Sequence, residues 1–186
     1  MCKTIAFVML LMVLSLSQAV SAQTSLKLNG FGGRLSLVKP QDIDMTFGLG
    51  VHADLGTLFI PEIHFFPSIE MWWKSTSDME FGEKYESKFT EFALNADIHY
   101  YIQTSSSSNI KPYIGGGLAL IFSKASVDES HYGSSSSSDT DIGIDFLDGI
   151  EFPLGSSSTG MLEAKYKIDG ADAFKITAGF TIPTGG

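Results

Sequence analysis

EFALNADIHYYIQ, residues 91–103, alternates between apolar and polar side chains. One alternate set reads Phe, Leu, Ala, Ile, Tyr, Ile, and the other reads Glu, Ala, Asn, Asp, His, Tyr, Gln. A period of two residues is typical of a β-strand, in which successive side chains point to opposite faces. The apolar face must be buried against a protein core or against lipid. That choice decides where Asp97 and His99 lie.

The same alternation recurs in eight segments, separated by breaks rich in Gly, Ser, Asp and Pro. The segments are residues 25–38, 44–55, 58–73, 88–103, 110–123, 140–154, 159–168 and 173–182. Each is close to, or longer than, the roughly 9–11 residues that a tilted strand needs to cross a bilayer. No segment shows a convincing 3.6-residue apolar period. The sequence therefore predicts an all-β chain whose eight antiparallel strands close into an up-and-down transmembrane β-barrel.

Sorting the segments by parity gives one face that is almost entirely apolar, with Asp148 as its main exception. The other face mixes charged residues with Gly and Ala. Glycine on a solvated strand face loses stability without a packing gain, whereas a narrow eight-stranded barrel needs small residues beside large charged ones. We therefore predict that the polar face lines the lumen and that the apolar face contacts lipid. The alternative is a soluble periplasmic barrel, similar to a lipocalin, that turns its apolar face inward and carries an apolar ligand.

Charges in a lumen must be paired, because an isolated buried charge is strongly unfavourable. The acids lie mainly on the third, fourth and sixth predicted strands, and the lysines lie mainly on the last two, so they can pair across the lumen. The sequence predicts a polar network whose members are Asp54, Glu70, Glu91, Asn95, Asp145, Glu151, Glu163, Lys165, Lys167 and Lys175.

Three acid and histidine pairs share a face near one end of the predicted barrel. A divalent metal accepts imidazole and carboxylate ligands, so a metal site is one hypothesis. The two-residue spacing shows only a shared face, and hydrogen bonding between the groups explains it equally well. We predict no metal and no cofactor. The residues of the metal alternative are His52, Glu62, His64, Asp97 and His99.

The connections between the predicted strands differ in length in a regular way. Residues 74–87 and 124–139 are long and polar, whereas Gly56–Thr57, residues 104–109 and residues 155–158 are shorter. Both long connections follow odd-numbered strands, so they fall at one end of an up-and-down barrel. Short periplasmic turns and longer exterior loops are typical of outer-membrane barrels. We predict that residues 74–87 and 124–139 are exterior loops that contact an extracellular or envelope partner.

The first 22 residues have the features of a secretory signal peptide. Lys3 precedes an apolar run from Ile5 to Leu16, and a small-residue end follows it at Ala22. The run is shorter than the roughly 20 residues of a membrane-spanning helix. We predict a signal peptide over residues 1–22 and one barrel domain over residues 23–186. The formal charge of −9 argues against a nucleic-acid partner, because no basic patch is present to neutralise phosphates.

The segment KPYIGGGLALIF, residues 111–122, carries a Pro-Tyr-x-Gly-Gly-Gly-apolar run. With this run, the signal peptide, the strand number and the loop parity, residues 1–182 resemble the outer-membrane β-barrel domain family. These are small eight-stranded barrels similar to outer-membrane proteins A and X. The resemblance implies a location in the bacterial outer membrane, contact with its lipid and insertion by the outer-membrane assembly machinery.

The function expected from these features is a structural or surface-interaction role. An enzyme is not expected, because half of the 24 serines lie in runs between the strands and no Gly-x-Ser-x-Gly elbow occurs.

Overall fold

In the computed structural model, residues 25–80, 83–104, 109–129, 133–155, 157–169 and 171–184 are described. They form a closed barrel in which each strand pairs with the next and the last pairs with the first. The strands are β1 Ser25–Pro40, β2 Thr46–Thr57, β3 Ile63–Glu80, β4 Glu83–Tyr101, β5 Lys111–Glu129, β6 Gly133–Leu154, β7 Ser158–Ile168 and β8 Ala173–Pro183. The predicted eight-stranded, all-β fold is confirmed. The predicted signal peptide lies outside the described residues. Within them, no helix has the length and apolar character needed to cross a membrane.

Closure depends on the seam between β1 and β8, which pair from Gly30↔Pro183 to Pro40↔Ala173. The strands approach so closely that a Cβ atom on Gly32 would lie 1.7 Å from the carbonyl oxygen of Phe180. Only glycine fits at such a position without moving the backbone. Closing the sheet leaves no free edge within the body of the described barrel.

The barrel buries its polar face and exposes its apolar face. Asp97 and Lys167 are 0% exposed, whereas Leu35 and Phe47 on the outer surface are 69% and 74% exposed. Water cannot solvate such an apolar surface favourably, but lipid can. This orientation is the reverse of what a soluble carrier of an apolar ligand requires, so the periplasmic-carrier alternative is not supported.

The two connections predicted to be long loops are largely strand. β3 pairs with β4 as far as Glu80↔Glu83, and β5 pairs with β6 as far as Glu129↔Gly133. The prediction of loops at residues 74–87 and 124–139 is therefore wrong in its secondary structure. Outside a membrane a strand can be polar on both faces, so residues such as Ser and Thr show no apolar alternation in the sequence. Their backbone N–H and C=O groups are still satisfied by pairing with the neighbouring strand. The two hairpins also pair with each other, as far as Tyr85↔Glu129.

The predicted short turn at Gly56–Thr57 also differs from the structure. β2 continues to Thr57, and the connection to β3 is residues 58–62. Gly56 has a φ of 83°, and the register between β2 and β3 shifts between His52 and Thr57, as at a β-bulge. A tight hairpin at Gly56–Thr57 would have set His52 close to Glu62, but with this register His52 pairs with Ser68.

Asp148 interrupts the apolar outer surface. Its cross-strand neighbours are Ile114 and Ala164, and Phe146 and Ile150 flank it on the same face of β6. The Asp148 side chain is exposed on that surface. A carboxylate facing lipid loses its hydration, and none of these four neighbours can offer it an ion pair.

We expect Asp148→Ile to raise the free energy of unfolding by about 1–2 kcal/mol, because it removes an acidic group from the lipid-facing surface. Urea unfolding of the protein in lipid vesicles, followed by tryptophan fluorescence, measures this change. The matched control is Asp44→Ile in the exposed connection between β1 and β2, which should change stability little. A loss of stability in Asp148→Ile alone would mean that the carboxylate has a stabilising partner within the membrane.

Candidate functional site

Apolar side chains pack together inside the barrel at the end where the hairpins of β3–β4 and β5–β6 extend, here called the outer end. Val38, Trp72 and Ala173 form a buried cluster, against which Ile43 and Phe89 pack. The rings of Trp72 and Phe89 stack with their centroids 5.1 Å apart. This layer separates the charged groups beneath it from solvent at the outer end.

Directly beneath that layer, Lys167 from β7 contacts two acids. Its ammonium group donates a hydrogen bond to Glu91 on β4 and lies 2.9 Å from Asp169. Lys167 and Glu91 are both buried, so the pair joins two sides of the barrel across its interior.

The centre of the lumen holds the densest set of ion pairs. Glu70 on β3 accepts hydrogen bonds from Arg34 at 2.7 Å and from Lys175 at 2.9 Å. Lys165 on β7 donates to Asp97 at 2.6 Å. Lys165 also lies 3.6 Å from Asp145 and 3.8 Å from Glu70. Charges in a low-dielectric interior are stabilised only when such pairs are close and hydrogen-bonded, and here they tie β1, β3, β4, β6, β7 and β8 together.

Small residues make room for these charged groups. A Cβ atom on Gly117 would lie 2.2 Å from Oδ1 of Asp97 and 2.6 Å from the carbonyl oxygen of Ala96. Any side chain at this position would therefore displace the carboxylate that Lys165 holds. This explains why glycine recurs on the inward face beside large charged residues.

A row of aromatic rings crosses the lumen on the other side of the charged centre. Phe66 and His99 stack with centroids 4.3 Å apart and planes 8° apart, and His99 and Tyr113 stack at 4.4 Å and 7°. His52 lies against the other face of Phe66 at 5.6 Å. The four side chains come from β2, β3, β4 and β5, so they form a floor between the charged centre and the opposite, inner end.

The inner end of the barrel carries the half-buried members of the predicted network. Asp54 lies 3.2 Å from Nδ1 of His64 and accepts a hydrogen bond from the backbone N–H of Gly56 at 2.8 Å. Glu151 accepts a hydrogen bond from the hydroxyl of Tyr101 at 2.5 Å. Around these groups is an open cavity of about 510 Å³.

The structure places all ten residues of the predicted lumen network on the inward side of the barrel. Eight are buried, and Asp54 and Glu151 are half-buried at the inner end. The acid and histidine pairs of the sequence analysis, His52/Asp54, Glu62/His64 and Asp97/His99, are not bonded to each other within a pair. Asp97 contacts Lys165, whereas His99 has its nearest carboxylate in Glu163, at 3.7 Å.

The five residues of the metal alternative are dispersed among different partners. His52 shares a hydrogen bond with Thr181 at 2.8 Å, and Glu62 accepts one from Gln103 at 2.6 Å. His64, Asp97 and His99 have the partners given above. In the part of the chain that the structure describes, no three His, Cys, Asp or Glu side chains come together as they would around a metal ion.

Several lumen residues were not predicted from the sequence. Arg34 is the most important, because it contacts Glu70 and lies 3.6 Å from Glu163. The parity of Leu35 and Leu37, both outward-facing, would have placed Arg34 and its neighbours inward. The glycines at residues 30, 32 and 33 obscure that parity. Other buried side chains outside the predicted network are Ser36, Phe66, Ser68, Trp72, Tyr113 and Thr177.

The closed barrel, its apolar outer surface and its charged interior can be compared with known proteins. Residues 72–178 match the sequence profile of the Opacity family porin proteins, which is more than half of the chain. The chain belongs to the Opacity porin family. A search among curated protein sequences gives no match.

Solved outer-membrane barrels share the fold of this Opacity-family chain at low sequence identity. Neisserial surface protein A is 19% identical with a TM-score of 0.63, over 83% of this chain and 96% of that one. The attachment invasion locus protein Ail of Yersinia pestis is 15% identical with a TM-score of 0.55, over 87% and 100%. A major outer membrane protein of Thermus thermophilus is 10% identical with a TM-score of 0.55, over 83% and 99%. The predicted resemblance to small outer-membrane barrels is confirmed.

Proposed function

We propose that this Opacity-family barrel has a non-enzymatic surface-interaction role, carried by the sheet that continues past the outer end of the barrel. We further infer that residues 1–22 are a cleaved signal peptide, that residues 23–186 form the barrel domain and that the outer-membrane assembly machinery inserts it. The inner end, opposite the extended hairpins, would face the periplasm, because outer-membrane barrels project their longer connecting segments from the cell. The hairpins would then project from the cell.

The observation that carries this role is the unequal length of the strands. β3 to β6 extend beyond their neighbours as a four-stranded sheet, whereas β2 begins at Thr46 and β7 ends at Ile168. β7 pairs with β6 only between Ile144↔Ile168 and Leu154↔Ser158. On the edge of β6 that faces β7, none of the described strands therefore lies beside residues 133–143. A row of unpaired N–H and C=O groups is a template for another extended chain.

The sequence of this edge of β6 leaves it open to pairing with a strand of another protein. Exposed edges are usually blocked by Lys, Pro or a bulge, but residues 134–141 read SSSSSDTD. Serine side chains are short, so they leave the backbone accessible. An extended segment of a partner protein could therefore add to the sheet through main-chain hydrogen bonds.

The charge of the hairpins limits which partners fit. Residues 74–88 and 124–141 have formal charges of −1 and −3, from three lysines against four acids and from one lysine against four acids. Ail has been solved in complex with the heparin analogue sucrose octasulfate. A polyanion of that kind would be repelled by the acidic hairpins of this chain, so we infer a neutral or basic protein partner.

A passive pore is a weaker candidate. Eight strands leave space only for side chains, and the interior of this barrel contains buried ion pairs, an aromatic row and an apolar layer. We infer that the lumen is plugged and that its contacts serve stability. Solute passage would need those contacts to open.

The test is a register-preserving truncation of the β5–β6 hairpin. Deleting residues 124–129 together with residues 133–138 removes six cross-strand pairs and leaves Ser123↔Asp139 as the last pair. We expect cells displaying the full chain to be retained several-fold more on immobilised extracellular-matrix proteins than cells displaying the truncated chain. Retention is measured by counting bound cells.

Heat-dependent migration on gels verifies that the truncated barrel is folded in the outer membrane. The matched control deletes residues 75–80 and 83–88, which shortens the β3–β4 hairpin by the same six pairs. That deletion leaves the β6 edge in place. Equal retention of the full chain and the β5–β6 truncation, with both folded, would contradict the proposed role.

A further inference from the structure

The cavity at the inner end is separate from the projecting sheet and from the charged centre of the lumen. Its volume is about 510 Å³, within the roughly 300–1,000 Å³ typical of small-molecule sites. Phe66 and Tyr101 contribute aromatic surface, and the stack of Phe66 on His99 closes its floor. The cavity is therefore a closed-ended pocket that opens at the inner end.

One wall of the pocket is acidic. Asp54 comes from the end of β2, and Glu62 comes from the connection to β3. One oxygen of Asp54 accepts a hydrogen bond from Gly56 N–H and lies 3.2 Å from Nδ1 of His64, and one oxygen of Glu62 accepts a hydrogen bond from Gln103. These bonds orient the carboxylates, and the second oxygen of each can accept a further hydrogen bond. An ammonium group is a donor of complementary charge.

The opposing wall carries a cation. Lys111 is the first residue of β5, three strands away from β2 around the eight-stranded barrel, and its side chain is exposed at the rim. Its cross-strand partner is Glu151, whose carboxylate accepts the hydroxyl hydrogen bond of Tyr101. Thr159 and Thr181 add neutral hydrogen-bonding groups to the lining of the pocket. Asp54 and Glu62 therefore line one side of the cavity, and the other side holds Lys111 beside Glu151, whose carboxylate is already engaged by Tyr101.

We propose that this pocket binds a small zwitterion, namely a short peptide with a free ammonium group at one end and a free carboxylate at the other. The ammonium group lies against Asp54 and Glu62, the carboxylate lies against Lys111, and the peptide backbone crosses Tyr101 and Phe66. A dication would meet Lys111 and a dianion would meet the acidic wall, so neither fits as well. An extended tripeptide spans at most roughly 10 Å, which suits a ligand that reaches between two walls.

The experiment is calorimetric titration of the full protein in lipid nanodiscs with triglycine, N-acetyl-triglycine and triglycine amide. We expect saturable binding of triglycine and about tenfold weaker binding of each capped peptide, because each loses one charge-assisted contact. Absence of saturable triglycine binding overturns the proposal. Equal affinity for triglycine and its amide also overturns it, because Lys111 would then make no contact with the carboxylate.

Two substitutions test which wall of the pocket contacts each end of the peptide. Lys111→Gln should abolish the preference for triglycine over triglycine amide, and Asp54→Asn should reduce the preference for triglycine over its N-acetyl form. Lys39→Gln, which removes an exposed lysine at the outer end, is the matched control and should bind triglycine as the unaltered protein does. Heat-dependent migration on gels identifies any variant that fails to fold. If folded Lys111→Gln keeps the full preference, the assignment of Lys111 is wrong and the proposal fails.

Discussion

Replacing Lys165 with methionine is expected to lower the free energy of unfolding by about 3–5 kcal/mol, the range for removing one partner of a buried ion pair. The Lys165 ammonium lies 2.6 Å from Asp97, 3.6 Å from Asp145 and 3.8 Å from Glu70. Methionine keeps most of the side-chain volume, so the loss comes from the charge. It leaves Asp97 buried without its nearest cation. Urea unfolding in lipid vesicles, followed through the fluorescence of Trp72 and Trp73, measures the change.

Two further variants test whether the lost stability comes from a buried carboxylate that has lost its cation. Lys124→Met alters an exposed lysine on the β5 extension and should change stability by less than about 1 kcal/mol, as solvated charges do. The double variant Lys165→Met with Asp97→Asn should regain part of the lost stability, because the unpaired carboxylate is then neutral. A loss below about 1 kcal/mol in Lys165→Met would show that the three carboxylates do not depend on Lys165.

The sequence predicts the barrel well because lipid and lumen impose opposite demands on alternate residues. Leu94 faces outward and Asn95 is buried inside, as the alternation in residues 91–103 requires. Gly117 also carries information, because its absent side chain leaves space for Asp97. Strand number and face therefore follow from physical constraints that act on every membrane-crossing residue.

That constraint ends where the strands leave the membrane. Residues 133–141 of β6 are almost all Ser, Thr or Asp, so they show no alternation, yet they pair with β5. Water accepts polar side chains on both faces of a sheet, and only the backbone ladder reveals the strand. For this reason the sequence indicates the position of the hairpins but not their secondary structure.

Parity also identifies a face without identifying a partner. Asp97 and His99 are neighbours on one face of β4, but they lie at different depths of the lumen and meet different groups. Asp97 meets Lys165 from β7, and His99 lies between Phe66 and Tyr113. Such contacts depend on the stagger of the strands around the closed barrel, which no local sequence pattern contains.

The lipid-facing surface leads to the second large effect. Phe146→Arg is expected to lower the free energy of unfolding by roughly 2–4 kcal/mol, the range for a basic residue deep in the lipid-facing surface of an outer-membrane barrel. Phe146 is 56% exposed on the outer face, and its cross-strand neighbours are Gly116 and Tyr166. Neither neighbour can accept an ion pair from a guanidinium group, and the substitution is made in the Asp148→Ile background because Asp148 lies two residues away on the same face of β6. Urea unfolding in lipid vesicles again gives the magnitude.

Ser138→Arg is the matched control, because residue 138 shares the outward face of β6 with residue 146 but belongs to the extension beyond the barrel. There the guanidinium group remains hydrated, so we expect a change within about 0.5 kcal/mol. Phe146→Leu separates the loss of the ring from the gain of the charge. If the two arginine variants lost equal stability, the outward surface at Phe146 would not be in lipid. A large loss at Phe146 alone would place the bilayer around the lower part of β6 and leave the β5–β6 extension in water.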